Sequence, residues 1–135
     1  MPEYALVTDP AQSAASAARR VLEHLAAGDI EAAAALSNAP QRRREVLREY
    51  RARVGEPEFR RVFAEYLAQP VLAEVALGER RLLMRRVDGE LVGQYFVRAV
   101  PDFVVDDAPG EERARLQQVL RGYRSGRLRL SGGTG

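Results

Sequence analysis

The chain has 135 residues, 46% of them hydrophobic, which suits one domain with a sizeable core and leaves no room for two. It has no cysteine, which excludes disulfides, thiol nucleophiles, thiolate metal sites and iron–sulfur ligation. Its 21 basic residues, all arginine, nearly cancel 19 acidic ones to leave a formal charge of +2, so the basic excess is thin and spread over the whole surface.

Helices come first. Residues 11–36 are alanine-rich, and Ala14, Ala18, Val21, Leu22 and Leu25 recur at helical spacing until Gly28-Asp29 interrupts them. Asp29 is expected to cap a second helix carrying Ile30, Ala33, Ala34 and Leu36, which should end near Asn38 to Pro40, because a residue before proline is pushed out of the α region. From Gln41 a third helix sets Val46, Leu47, Tyr50 and Val54 on one stripe, with Gly55 as its stop. Pro57 suits the first turn of a fourth, whose stripe is Phe59, Val62, Phe63, Tyr66 and Leu67.

Strands follow. Val71 to Leu77 precedes Gly78-Glu79, and Asp88-Gly89 is the kind of pair that accepts the positive φ angles of a two-residue hairpin turn. That turn places Val87 opposite Glu90, Arg85 opposite Val92 and Met84 opposite Gly93. Leu82, Met84, Leu91, Tyr95 and Val97 then share an apolar face. The other face, with Arg81, Leu83, Arg85, Val87, Val92, Gln94, Phe96 and Arg98, is mixed and is expected to meet water or a second subunit. Phe103 to Val105 adds a strand after Pro101-Asp102, which makes a four-stranded antiparallel meander. A last helix is expected after Asp107 or Ala108, with Glu111 and Glu112 near its N-terminus, Leu116, Val119, Leu120 and Tyr123 as its stripe and Gly126 as its stop. The expected domain is residues 1–135, with an ordered core at about 11–126 and a flexible tail at 131–135.

Helices followed by a meander define an α+β domain with the helices on one face of a curved sheet. The order of helix, Gly28-Asp29 break, helices, then strands carrying Asp88-Gly89 and ending in Phe103 to Asp107 resembles a bacterial-type member of the nuclear transport factor 2-like, or cystatin-like, superfamily over residues 14–107. The helix after residue 109 departs from the commonest form. The resemblance implies a pocket between helices and sheet and a homodimer, and it implies no single reaction.

Candidate chemistry is sparse. His24 is the one histidine, and neither a triad nor a multi-histidine metal site has partners at a recognisable spacing, so no metal and no cofactor are expected. Gly132, Gly133 and Gly135 have no helix after them and cannot form a phosphate-binding turn. Asp106 and Asp107 stand where a core strand leaves the sheet. The resemblance suggests Asp106 as a proton-abstracting base and Tyr95 as a hydrogen-bond donor to an oxyanion, while the plainer reading has Asp107 capping the last helix and Asp106 ending the strand. Tyr50, Phe63, Tyr66, Met84 and Phe96 are candidate pocket-lining residues that core packing also explains. Eight arginines between Arg42 and Arg61 suggest a phosphate-binding patch, but interleaved acids favour a solvated face laced by pairs such as Glu49 with Arg53 and Glu58 with Arg61.

These readings favour a non-enzymatic binding or scaffold domain that dimerises through its mixed sheet face and takes a protein or small-molecule partner. The alternatives are an isomerase- or dehydratase-like enzyme with a carboxylate base and, behind it, nucleic-acid binding through residues 42–61. No apolar run approaches the roughly 18 residues needed to cross a bilayer, and the start at Met1 lacks the features of a signal peptide, so a cytoplasmic location is expected, or a periplasmic one if a leader was removed.

Overall fold

The computed structural model describes residues 4–129, so the expected tail at 131–135 lies outside the described residues. The chain runs β1 (Ala5–Leu6), a 3₁₀ turn (Pro10–Gln12), α1 (Ala15–Ala26), α2 (Ile30–Ala34), α3 (Pro40–Val54), α4 (Glu56–Ala68), β2 (Ala73–Leu77), β3 (Arg80–Val87), β4 (Glu90–Ala99), β5 (Asp102–Val105) and α5 (Glu111–Arg124). The class is α+β, and the sheet has five antiparallel strands in the order β1-β2-β3-β4-β5. The expectation of four missed β1, a two-residue strand with no periodicity to read, which pairs Ala5 with Ala76 and Leu6 with Val75. Among the described residues no helix is long and apolar enough to cross a membrane.

Local chemistry sets the element ends. Asp29 Oδ1 accepts the amide of Ala32 at 3.0 Å and starts α2. That helix stops at Ala34, earlier than expected, because residues 36–38 leave it for the outer edge of β5: Val105 N donates to the Leu36 carbonyl at 2.7 Å, and Asn38 N donates to the Val105 carbonyl at 3.0 Å. Gly55, at φ +89°, separates α3 from α4 where a side chain would be strained. The hairpin has the expected register, with Val87 opposite Glu90 and Met84 opposite Gly93, and both turn residues have positive φ, +52° at Asp88 and +80° at Gly89.

The sheet is covered on both faces, which corrects the expectation of an open mixed face. Helices α1 to α4 pack on the mixed face around Leu83, Phe96 and Phe103, with Val21, Leu22, Leu25, Leu47 and Phe59. Helix α5 covers the apolar face, where Leu116, Val119 and Leu120 meet Val75, Leu77, Leu82, Met84 and Leu91. A sheet face that carries charges can be buried here because the charges serve helix ends. Glu74 accepts the Ala14 amide at 2.7 Å and the Ser13 hydroxyl at the start of α1. Arg85 donates to the carbonyls of Tyr66 at 3.2 Å and Gln69 at 2.9 Å at the end of α4. Each charge thus has the sign that complements the helix dipole it meets. Arg81, 3% exposed, donates to the carbonyls of Gln12, Gly78 and Arg80. The face assigned to a second subunit is therefore filled by the chain's own helices. Val46, placed on the core stripe of α3, is instead 50% exposed, while its neighbour Leu47 is buried.

Candidate functional site

Strand β5 is short. It pairs only with Phe96 to Ala99 of β4, so the stretch of β4 from Glu90 to Tyr95 has no ladder partner on that side. Two of its carbonyls are held by other groups, Tyr95 O by the Asp106 amide at 2.9 Å and Leu91 O by Arg124 Nε at 2.7 Å. Between this open edge and the helices lies a cavity of about 160 Å³ lined by Val21, Leu25, Ala33, Leu47, Phe63, Phe96 and Val105, with Arg43, Tyr66, Gln94, Tyr95, Asp106 and Arg113 as its polar groups.

The end of β5 organises the polar side of the cavity. Asp106 is 1% exposed and accepts through both oxygens, Oδ1 from Asn38 Nδ2 at 2.9 Å and Oδ2 from Arg80. Asp107 takes Arg43 in a two-pronged ion pair and also accepts the Ser37 hydroxyl, while its amide donates to Asn38 Oδ1 at 2.8 Å. Burial pushes the Asp107 carboxyl up, but the hydrogen bonds from Arg43 and Ser37 and the charges of Arg43 and Arg113 outweigh it and hold the group below the usual carboxylate value. Ser37 and Asn38 reach these acids because residues 36–38 lie along β5. Arg113, in the first turn of α5, donates Nε to the Asp106 carbonyl at 2.9 Å and lies 5.0 Å from the centre of the Tyr95 ring. Burial raises the Tyr95 hydroxyl above its ordinary value, against the opposing charge of Arg113, and so keeps it a donor.

The structure brings Asp106 and Tyr95 to one cavity, together with three of the five residues expected to line it, Phe63, Tyr66 and Phe96. The other two lie elsewhere. Met84 faces α5 on the far side of the sheet, since it alternates with Leu83, and Tyr50 packs against Phe59 at 5.8 Å and Phe63 at 6.1 Å in the helical layer. Asp107 does not cap the last helix. Gly110 stands at that N-terminus, and the ion pair with Arg43 occupies the carboxylate.

Sequence reasoning passed over Arg43, Gln94 and Arg113. Two signals were there to be read: Gln94 interrupts the apolar positions Val92 and Phe96 on one strand face, and Arg113 stands three residues before Leu116 on the stripe of α5.

The arginine-rich helices form a ladder of ion pairs. Glu31 bridges Arg44 and Arg48 at 3.0 and 2.7 Å, Glu56 bridges Arg51 and Arg60, and Arg61 meets Glu58 at 2.8 Å and Glu65 at 3.3 Å. The expected Glu49 to Arg53 pair is not among those of the described residues, and Arg53 lies 5.4 Å from the centre of the Tyr50 ring. His24, in the last turn of α1, is not part of the cavity wall. Among the described residues no group of three His, Cys, Asp or Glu side chains is placed to hold a metal ion. Comparison of the chain with protein-family models, with curated proteins and with solved structures returned no match.

Proposed function

We propose that this chain is a non-enzymatic binding domain whose ligand is a small molecule with an apolar body, held between the helical layer and the open edge of β4. The observation that carries this reading is the cavity itself. Its volume of about 160 Å³ is close to that of apolar cavities which accept a benzene-sized guest, and its wall combines apolar side chains with a smaller set of polar ones. The order of helices, then meander, supports a relation to the nuclear transport factor 2-like domains, and α5 is an addition that closes the second face of the sheet.

A carboxylate base at Asp106 is the rival reading, favoured by its place on the same wall as Tyr95. The donors on both of its oxygens weigh against it, since Asn38 and Arg80 tie the carboxylate into the scaffold. Nucleic-acid binding through residues 42–61 is weakened by the ion pairs, in which Glu31, Glu56 and Glu58 engage Arg44, Arg48, Arg51, Arg60 and Arg61 and offset part of their charge.

The test is occupancy of the cavity. Ala33 is 1% exposed and lines it, so Ala33→Leu fills part of the space at a cost of about 1–3 kcal/mol from overpacking. Small arenes and branched aliphatic compounds should shift amide resonances of Phe96 and Val105 in the wild type and leave them unmoved in a folded Ala33→Leu variant. Equal binding by both proteins would show that the ligand sits elsewhere.

A further inference from the structure

The charges around the cavity are compensated in pairs, with one exception. Asp106 is neutralised by Arg80, which also lies 3.5 Å from the half-exposed Glu112, and Arg43 is neutralised by Asp107. Arg113 lines the same cavity, yet among the described residues no carboxylate lies within ion-pair distance of it. Its contacts are a backbone carbonyl, made through Nε, and the face of the Tyr95 ring. A guanidinium has five N–H donors, and among the described residues the two terminal nitrogens of Arg113 make no hydrogen bond. The amide oxygen of Gln94 accepts from Arg85 Nε at 3.3 Å, which leaves the Gln94 NH₂ as a second donor on the wall. The sole carboxylate on that wall, among the described residues, is Asp106, already occupied on both oxygens.

A cavity that offers a free guanidinium and an amide NH₂ beside apolar side chains, and whose one charge without an ion-pair partner among the described residues is positive, is complementary to an apolar monoanion. The geometry points to a small monocarboxylic acid, bound as its carboxylate with Arg113 as the anchor and its hydrocarbon body between Phe63, Phe96 and Val105. A carboxylate matches the paired terminal N–H groups of a guanidinium. A phosphate dianion would need a second free cation, and Arg43 is committed to Asp107. This assignment rests on the small-ligand reading above and deepens it by naming the class of ligand.

The test uses matched acids and amides: benzoate, phenylacetate and pivalate against benzamide, phenylacetamide and pivalamide, titrated calorimetrically into the full chain at neutral pH. At least one acid should bind about tenfold or more tightly than its amide, the discrimination expected of a charge-assisted hydrogen bond. Arg113→Met keeps the hydrocarbon cover over Tyr95 and removes the charge, so it should abolish the preference and leave acid and amide binding alike. Arg113→Lys should restore part of it. If acid and amide bind equally in the wild type, the carboxylate assignment fails while the small-ligand reading stands. If the acid is preferred equally in the wild type and in Arg113→Met, the anchor is wrong. If none of the six binds, both readings fall together. Should Arg113→Met not fold, the wild-type comparison of acid with amide and the Arg113→Lys variant decide the matter.

Discussion

Gly93 is where the attachment of α5 to the sheet can be measured. It stands opposite Met84 in the β3–β4 ladder, and a Cβ built on it would lie 2.8 Å from Leu82 Cδ1 and 2.9 Å from Leu120 Cδ2. Both neighbours are core side chains, 0% and 6% exposed, so neither has solvent to move into. Gly93→Ala should therefore cost about 1–3 kcal/mol from overpacking, reduced by the roughly 0.4–1 kcal/mol that alanine gains over glycine through the unfolded chain. A net loss of about 1–2 kcal/mol lowers the melting temperature of a 135-residue chain by about 3–7 °C. The stronger measurement is a double-mutant cycle with Leu120→Ala, which alone should cost about 2–5 kcal/mol by leaving a cavity. In the Gly93→Ala background the added methyl fills part of that cavity, so the double variant should be more stable than the sum of the two losses by about 1 kcal/mol or more. Urea denaturation followed by circular dichroism reads all four proteins. A neutral or stabilising Gly93→Ala with no coupling to Leu120 would refute the close approach of α5 to β4.

The remaining predictions concern two of the buried acids. Asp107→Asn breaks the two-pronged pair with Arg43 and should cost about 2 kcal/mol, between the values for exposed and fully buried pairs, because Arg43 is partly open to solvent. Since the folded state holds the Asp107 carboxyl below its ordinary 3.8, its contribution is complete above that pH and fades as pH falls toward the lower folded-state value. The stability gap between wild type and Asp107→Asn, measured in urea, should be constant from neutral pH to about pH 5 and shrink below pH 3.8. A gap that grows in acid would contradict the sign. Glu74→Ala removes the acceptor for the Ala14 amide and the Ser13 hydroxyl at the start of α1, and should cost about 1–2 kcal/mol and raise amide exchange at Ala14 and Ala15. Unchanged exchange there would mean that Glu74 does not cap α1.

Much of the fold was written in local patterns. Asp88-Gly89 fixed the hairpin register because two consecutive positive φ angles are cheap for Asp and Gly and costly for most other pairs. The helices were legible from their 3.6-residue stripes, and Gly55 and Gly126 from their role as stops. What stayed hidden was long-range. Nothing local says that Glu74, on a strand, will cap a helix sixty residues earlier, or that Arg85 will cap one nearly twenty residues earlier. Without those partners, a face carrying Arg81 and Arg85 read as one that meets water or a second subunit. The candidate site shows the same division. Asp106, Tyr95, Phe63, Tyr66 and Phe96 could be picked out by type and strand position, whereas Arg113 enters only because α5 returns across the sheet.

The burial of the mixed face also bears on what the cavity can be. A sheet with one face open could carry function on that face, and the helices would then need only to fill a core. Here α1 to α4 and α5 leave neither face of the central strands open, so an opening to the interior has to come from a place where the layers do not close. That place is the edge of β4 beyond Phe96, where β5 ends and Asp106 and Asp107 turn away to meet Arg80 and Arg43. The two ion pairs have a structural consequence there. By pinning the chain after Val105 to β3 on one side and to α3 on the other, they keep it from continuing along β4 and closing the gap. Asp106, which the resemblance offered as a base, and Asp107, expected as a helix cap, are thus both tied into the wall of the cavity. On the reading proposed above, the charge that meets a ligand is the arginine that arrives from the last helix.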